Sequence, residues 1–379
     1  MSVYIIADHM ITALGNSSRA HFDQLVAGNV GIHRQPVSGM PGLYSVSKVD
    51  SQQLELAART LNGSGHYTRL EKLLLASMEQ AAAQANINPA DKETGIVLSS
   101  TKGNIELLEP EIGKGFAEER IHLSSTAQVV QDYFKNTDPP VTVCNACISG
   151  LMAIIVGARL IRLGRYKHVV VSGADLVSAF TISGFESLKA LSPDRCRPFD
   201  KNRTGINLGE GCGTVILSAQ PRENSIEVLG GSISNDANHI SGPSRTGSGL
   251  QQAVKNALQE AGEPSVDYIS AHGTATLYND EMEAKAFHAL GLSGVPLNSF
   301  KGYWGHTLGA AGLLETIVAG HSLRENTLIA SAGYEECGVS QPLNMIEAPQ
   351  EKPLQVCLKT SSGFGGCNGA LVLKKHASG

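Results

Sequence analysis

Pro140-Val141-Thr142-Val143-Cys144-Asn145-Ala146-Cys147-Ile148-Ser149-Gly150 changes character partway along its length. Its first residues alternate and are β-branched, which reads as a strand. It then turns at small residues and enters positions 151–163, which are apolar at helical spacing. Cys147 falls where the strand hands over to the first turn of that helix. Unpaired backbone N–H groups and the positive end of the helix dipole meet at such a place. A thiolate is expected to be stabilised there, with a pKa below that of a free cysteine. Cys144 reads as a buried residue of the strand.

The same alternation of strand and helix extends in both directions. Strands are expected at 3–7, 93–100, 168–173, 212–217, 226–233, 266–271, 295–300, 354–360 and 370–373. Helices are expected at 17–27, 68–85, 124–134, 249–261, 280–290 and 309–322. Residues 31–67, rich in Gly, Ser and Pro, read as loop. Several of the strands are continuous apolar runs, which points to a layered α/β protein with a largely parallel sheet. The rhythm repeats, so two duplicated halves are expected, 1–223 and 224–379.

Composition narrows the function. Hydrophobic residues make up 42% and charged residues 17% of 379 positions, as in an ordinary globular protein. A formal net charge of −5 leaves no basic footprint for nucleic acid. No stretch approaches the length of a membrane span. Residues 1–8 lack a basic start and a long apolar run, so no secretory signal is expected. Seven cysteines, an odd number over a long chain, argue for a reducing cytoplasm rather than a disulfide framework.

Three further stretches carry chemistry at strand ends, where ligands bind in open α/β sheets. They are Ser270-Ala271-His272-Gly273-Thr274-Ala275-Thr276, Phe300-Lys301-Gly302-Tyr303-Trp304-Gly305-His306-Thr307-Leu308-Gly309-Ala310-Ala311-Gly312, and Ser361-Ser362-Gly363-Phe364-Gly365-Gly366-Cys367-Asn368-Gly369. Each residue has a plainer reading. His272 alone would be a satisfied core histidine, Lys301 a solvated charge, and Glu315 a structural glutamate in an apolar helix. Cys144 and Cys147 form Cys-x-x-Cys, but no second pair at zinc spacing accompanies them. The helix-start cysteine together with three such loops favours a nucleophile.

These four stretches resemble, in order, the motifs of the elongating β-ketoacyl-acyl-carrier-protein synthases. Those condensing enzymes of fatty acid and polyketide assembly carry Ala-Cys-x-(Ser/Thr)-Gly, His-Gly-Thr-x-Thr, Lys-x-x-x-Gly-His-Thr-x-Gly-Ala-Ala-Gly and Gly-Phe-Gly-Gly-x-Asn. Pro198-Phe199-Asp200 and Gly209-Glu210-Gly211 are also similar to the family. The resemblance covers nearly the whole chain. It implies the thiolase-like fold, two related α/β halves in a five-layer αβαβα arrangement, usually as a dimer.

It also implies a decarboxylative Claisen condensation of an acyl primer with malonyl on an acyl carrier protein. Cys147 would accept the acyl group. The backbone N–H groups of Cys147 and Phe364 would form the oxyanion hole, with Phe364 also gating the acyl pocket. His272 and His306, as neutral imidazoles, would donate to the malonyl thioester carbonyl. Lys301 would support the histidine pair, with Glu315 nearby, and Thr274 and Thr276 would contact the pantetheine arm. Loss of CO₂ drives the reaction, so no metal or cofactor is implied. The partners implied are the acyl carrier protein and a second subunit, in a homodimer or a ketosynthase heterodimer. The alternatives are a weakly catalytic partner subunit that sets chain length, or another thiolase-fold acyltransferase. Both histidines and the cysteine disfavour the first. Ile148, bulkier than the residue usual beside the nucleophile, is expected to narrow the pocket mouth.

Overall fold

A computed structural model of the chain describes residues 1–59, 61 and 65–376. The first half runs β1 (Tyr4–Thr12), α1 (Ser18–Val26), β2 (His33–Pro36), β3 (Leu43–Val46), α2 (Ser51–Ala58) and α3 (Arg69–Ala85). It continues through β4 (Thr94–Ser99), α4 (Pro110–Gly113), α5 (Leu123–Phe134), β5 (Val141–Val143), α6 (Ser149–Arg162), β6 (His168–Asp175), α7 (Ala179–Ser187) and β7 (Gly211–Ser218). The second half opens with β8 (Ile226–Asn235), α8 (Ser248–Glu260), β9 (Tyr268–Ser270), α9 (Leu277–Ala289), β10 (Leu297–Asn298) and α10 (Lys301–Trp304). It closes with α11 (Ala311–Glu325), β11 (Thr327–Leu328), β12 (Gln350–Glu351), β13 (Val356–Gly363) and β14 (Cys367–Lys375).

The main strands form one ten-stranded sheet in the order β10-β9-β13-β14-β8-β1-β7-β6-β4-β5. The five strands of each half, numbered within that half, lie in the same order, 3-2-4-5-1. The pairing directions repeat as well: parallel between the second strand and its two neighbours, antiparallel elsewhere. Within the sheet the two halves are joined where Tyr4 and Ile5 of β1 pair with Glu227 and Ile226 of β8.

The two halves of the sheet enclose α6 and α11, each of which touches strands of both halves. Outside the first half lies α3, backed by α5. Outside the second lies α8, against which α9 packs. The result is the αβαβα stack. Alternation along β6 shows why: Val169 and Val171 enter the central core with Ile154 and Leu313, whereas Val170 packs outward with Leu75 and Met78. The two central helices approach closely at small residues. A Cβ on Gly150 would stand 2.8 Å from the Gly309 carbonyl oxygen, and one on Gly312 would stand 2.7 Å from the Leu151 nitrogen.

Five readings are corrected. The sheet is not largely parallel: four of its strand pairings are parallel and five antiparallel. Residues 31–67 are not simply loop: they hold the β2–β3 hairpin and α2, capped by the Asp50 carboxylate on the Gln53 N–H. Positions 60 and 62–64 lie outside the described residues. β1 runs on to Thr12 through polar residues, because Asp8 finds partners in Arg324 and His321 at 2.7 and 2.9 Å. Cys144 lies beyond the end of β5 and is exposed rather than buried. Ile148 is fully buried and turned toward the core near Gly369, so it does not narrow the pocket mouth. Among the described residues no helix is long and apolar enough to cross a membrane.

Candidate active site

Cys147 precedes α6 rather than sitting on it. Past the end of β5 the chain turns through Asn145 and Ala146, and Ala146 holds φ at 43°. That left-handed conformation costs a residue with a Cβ about 1–2 kcal/mol. Ser149 braces the turn: its hydroxyl accepts from the Asn145 N–H at 2.7 Å and donates to the Ala146 carbonyl at 2.6 Å. The elbow leaves Cys147 one residue ahead of the α6 N-cap, Ile148, and facing a cavity of about 480 Å³.

Burial pushes the Cys147 thiol up to about 11, contrary to the lowered value expected from its place in the sequence. Desolvation outweighs the pull of the Lys301 and Lys102 ammoniums and of the Phe364 N–H aimed at the sulfur. The resting group is therefore a thiol, and its proton must leave as the acyl group arrives.

Two imidazoles lie beside the thiol. A ligating atom of Cys147, His272 and His306 can be chosen so that all lie within 4.8 Å of one another. The rings of His272 and His306 meet edge to face, with centroids 5.2 Å apart. Burial, then the Lys301 ammonium, holds both well below the ordinary histidine range, so both are neutral. Neither ring nitrogen of His306 has a hydrogen-bond partner, although both are buried. A buried, unpaired imidazole beside a cavity is free to engage a ligand. A sulfur with two imidazoles is also a donor set for a soft divalent ion.

His272 is fixed from behind. Lys301 Nζ lies 3.2 Å from its Nδ1, 2.5 Å from its carbonyl oxygen and 2.6 Å from Glu315 Oε1. An ammonium donating to Nδ1 leaves the ring proton on Nε2. The loop carrying His272 is pinned by Glu283, which accepts from the His272 and Gly273 N–H groups at 2.9 and 2.7 Å. Thr274 and Thr276 line the cavity with their hydroxyl oxygens 2.8 Å apart. Phe364 stands at the cavity with 37% of its surface exposed, stacked on Phe185 at 5.5 Å.

The residues singled out from sequence thus come together: Thr274, Thr276 and Phe364 line the same cavity as Cys147, His272 and His306, with Lys301 and Glu315 directly behind His272. Sequence reasoning missed others. Asp175 accepts from the Ser100 hydroxyl at 2.7 Å, the Thr101 N–H at 2.9 Å and the Gly309 N–H at 2.6 Å, tying three loops together. Phe185 belongs to α7, a helix that the apolar pattern did not reveal. Lys359 is fully buried on β13, 2.8 Å from Glu315 Oε2. Its signal was present: a lysine inside the apolar strand 354–360 cannot be solvated.

Two family models match. Residues 1–222 match the beta-ketoacyl synthase N-terminal domain and residues 226–335 the C-terminal domain. A 3-oxoacyl-[acyl-carrier-protein] synthase 2 of Rhizobium meliloti (strain 1021) is 31% identical over 337 residues, 80% of each chain. The tetracenomycin polyketide synthase ketoacyl synthase alpha subunit of Streptomyces glaucescens is 30% identical over 82% of each chain. Among solved structures, a ketosynthase (ApeO) in complex with its chain length factor (ApeC) from Xenorhabdus doucetiae superposes with a TM-score of 0.91. It is 28% identical, covering 99% of this chain and 98% of that one.

Proposed function

The chain belongs to the β-ketoacyl synthase family, an acyltransferase that forms carbon–carbon bonds in fatty acid or polyketide synthesis, and we propose the following division of labour among its residues. Cys147 takes the acyl primer from a carrier thioester. The thiol proton passes to the neutral imidazole of His306 as sulfur attacks the carbonyl, and from there to the carrier sulfur as the intermediate collapses and the carrier thiol leaves, which returns the ring to neutrality. The backbone N–H groups of Cys147 and Phe364 hold the oxyanion of the tetrahedral intermediate, and Phe364 screens the acyl pocket.

Malonyl then enters the same cavity, its pantetheine arm lying against Thr274 and Thr276. His272, through Nε2–H, and His306 donate to the thioester carbonyl. As the carboxylate leaves as CO₂, its bonding electrons form the enolate that these donors stabilise. The enolate carbon attacks the acyl–Cys147 carbonyl and sulfur departs as the thiolate, which takes up a proton from solvent, giving the 3-oxoacyl carrier and the resting thiol. Lys301 fixes the His272 tautomer and Glu315 fixes Lys301. The observation that carries this reading is the convergence of one thiol and two neutral imidazoles within 4.8 Å at the floor of one cavity.

The halves 1–223 and 224–379 divide the work, the first supplying the nucleophile and the second the histidines and the Gly-Phe-Gly-Gly turn. The protein works on acyl carrier protein, and it pairs with a second chain of the same fold, in a homodimer or as the catalytic member of a heterodimer. The likeness to a ketosynthase solved with its chain length factor supports that partnership. Retention of Cys147 with both histidines supports the catalytic side of it. The test is product formation from acyl and malonyl carriers. One CO₂ released per 3-oxoacyl carrier is expected, and undiminished condensation by Cys147→Ala would refute the assignment.

A further inference from the structure

Lys359 is a lysine with no access to water. It sits in the interior of the sheet, on β13, between β9 and β14, with Ser270 and Leu371 as its register partners. A buried ammonium is costly unless each of its protons and its charge is answered. Here they are. Nζ donates to the carbonyl oxygens of Thr360 at 2.5 Å and Ser270 at 3.1 Å, with Ala271 at 3.3 Å. Glu315 Oε2 lies 2.8 Å away, off the line of a hydrogen bond, so the contact is an ion pair. The other oxygen of that carboxylate belongs to Lys301. One glutamate thus stands between two ammoniums, and one of these faces His272 Nδ1.

We infer that Lys359 is a positioning residue for the decarboxylation half-reaction: by occupying Oε2 of Glu315 it leaves Oε1 to Lys301 and so fixes Lys301 on His272. This rests on the roles proposed above for His272 and His306. With Oε2 free, the Glu315 carboxylate can turn and draw Lys301 off Nδ1, and the His272 tautomer is no longer set. Lys359 also acts at a distance. The charged and titratable groups around the imidazole pair are Lys301 on α10, Glu315 on α11, Lys359 on β13, Glu283 on α9 and Cys147 ahead of α6. Of these the two ammoniums oppose protonation of the rings, and both contribute to their lowered basicity after burial itself. Burial lowers the basicity of Lys359 and the Glu315 carboxylate opposes that loss; as the ammonium, Lys359 helps keep the imidazole pair neutral into more acidic solution.

The test separates the half-reactions and follows them with pH. Lys359→Met removes the charge at similar volume. Malonyl-carrier decarboxylation is expected to fall by about 10–100-fold, the usual cost of losing a supporting residue behind a working imidazole. Acylation of Cys147 is expected to stay within about threefold, because Lys359 touches nothing on that side. The acid limb of the decarboxylation profile should move to higher pH, since removing a cation raises the imidazole pKa values. Lys359→Arg keeps the charge and should leave that limb where it is, which decides the matter if the Met variant does not fold. Decarboxylation within twofold of wild type, equal losses in both half-reactions, or a limb displaced in the Arg variant would each overturn the inference. Wild-type decarboxylation reports on the function itself, whereas the variant-to-wild-type ratio reports on Lys359.

Discussion

Replacing Lys301 with Met should cost malonyl decarboxylation far more than acyl transfer, which loses only the ammonium's pull on the Cys147 thiol. Lys301 Nζ lies 3.2 Å from His272 Nδ1 and 2.6 Å from Glu315 Oε1, and neither Lys301 nor Glu315 has any exposed side-chain surface. Without the ammonium, the ring proton of His272 can settle on Nδ1 and donate to the Glu315 side. Nε2 then presents a lone pair to the enolate oxygen instead of a proton. Loss of one such donor costs about 10²–10³ in rate, or roughly 3–4 kcal/mol.

Stability suffers too, because Glu315 loses one of its two cations. Breaking a buried pair costs about 3–5 kcal/mol, and Lys359 remains on Oε2, which favours the lower end. A fall in Tm of about 4–6 °C follows for a chain of this size. The assay measures the two half-reactions separately at a temperature where the variant is folded: CO₂ release from labelled malonyl carrier, and acyl loading of Cys147. Decarboxylation within about fivefold of wild type, or a matching loss of acyl loading, would refute the assignment of Lys301 to the histidine pair.

Two other outcomes are expected. His306→Ala should lower decarboxylation by about 10²–10³ and acyl transfer less, because on the roles proposed above one ring N–H of His306 donates to the malonyl carbonyl, a donor that nothing replaces, whereas water can take the thiol proton in its stead; equal loss in both steps, read from the same pair of assays, would reverse the roles. Glu106, whose carboxylate oxygens are both buried and have no hydrogen-bond partner among the described residues, is pushed up to about 8 by burial. Between 4.5 and 8 the folded chain therefore keeps a proton that the unfolded chain has released, and stability falls as pH rises through that window. Glu106→Gln should remove this dependence, gaining about 3 kcal/mol on wild type between pH 4.5 and pH 7; parallel melting curves for the two proteins across that range would contradict it.

What could be read from sequence followed from how each signal is written along the chain. Cys147, His272, Lys301, His306 and Phe364 lie in short motifs at strand ends, where turn residues and apolar runs mark the boundaries. The buried strands were legible for the same reason: β6 and β7 are continuous apolar runs closed by polar or small residues. The burial of Lys359 was legible from the apolar strand around it, but its pairing with Glu315 was not, because the two are distant in sequence and the packing of α11 against β13 joins them. The elevated thiol of Cys147 was misjudged for a related reason. The helix start is visible locally, but the desolvation that dominates comes from segments scattered over the whole chain. The 31–67 stretch was read as loop because β2 consists of His, Arg, Gln and Pro and the short β3 buries only Ser45 and Val46, too little for a periodic apolar signal.

Intact-protein mass spectrometry after incubation with acyl carriers of varied chain examines the nucleophile without waiting for product. A single acyl adduct on the wild-type chain, discharged when malonyl carrier is added and missing from Cys147→Ala, is expected. An adduct that survives Cys147→Ala, or a wild-type chain that never acquires one, would contradict the placement of the chemistry at that sulfur.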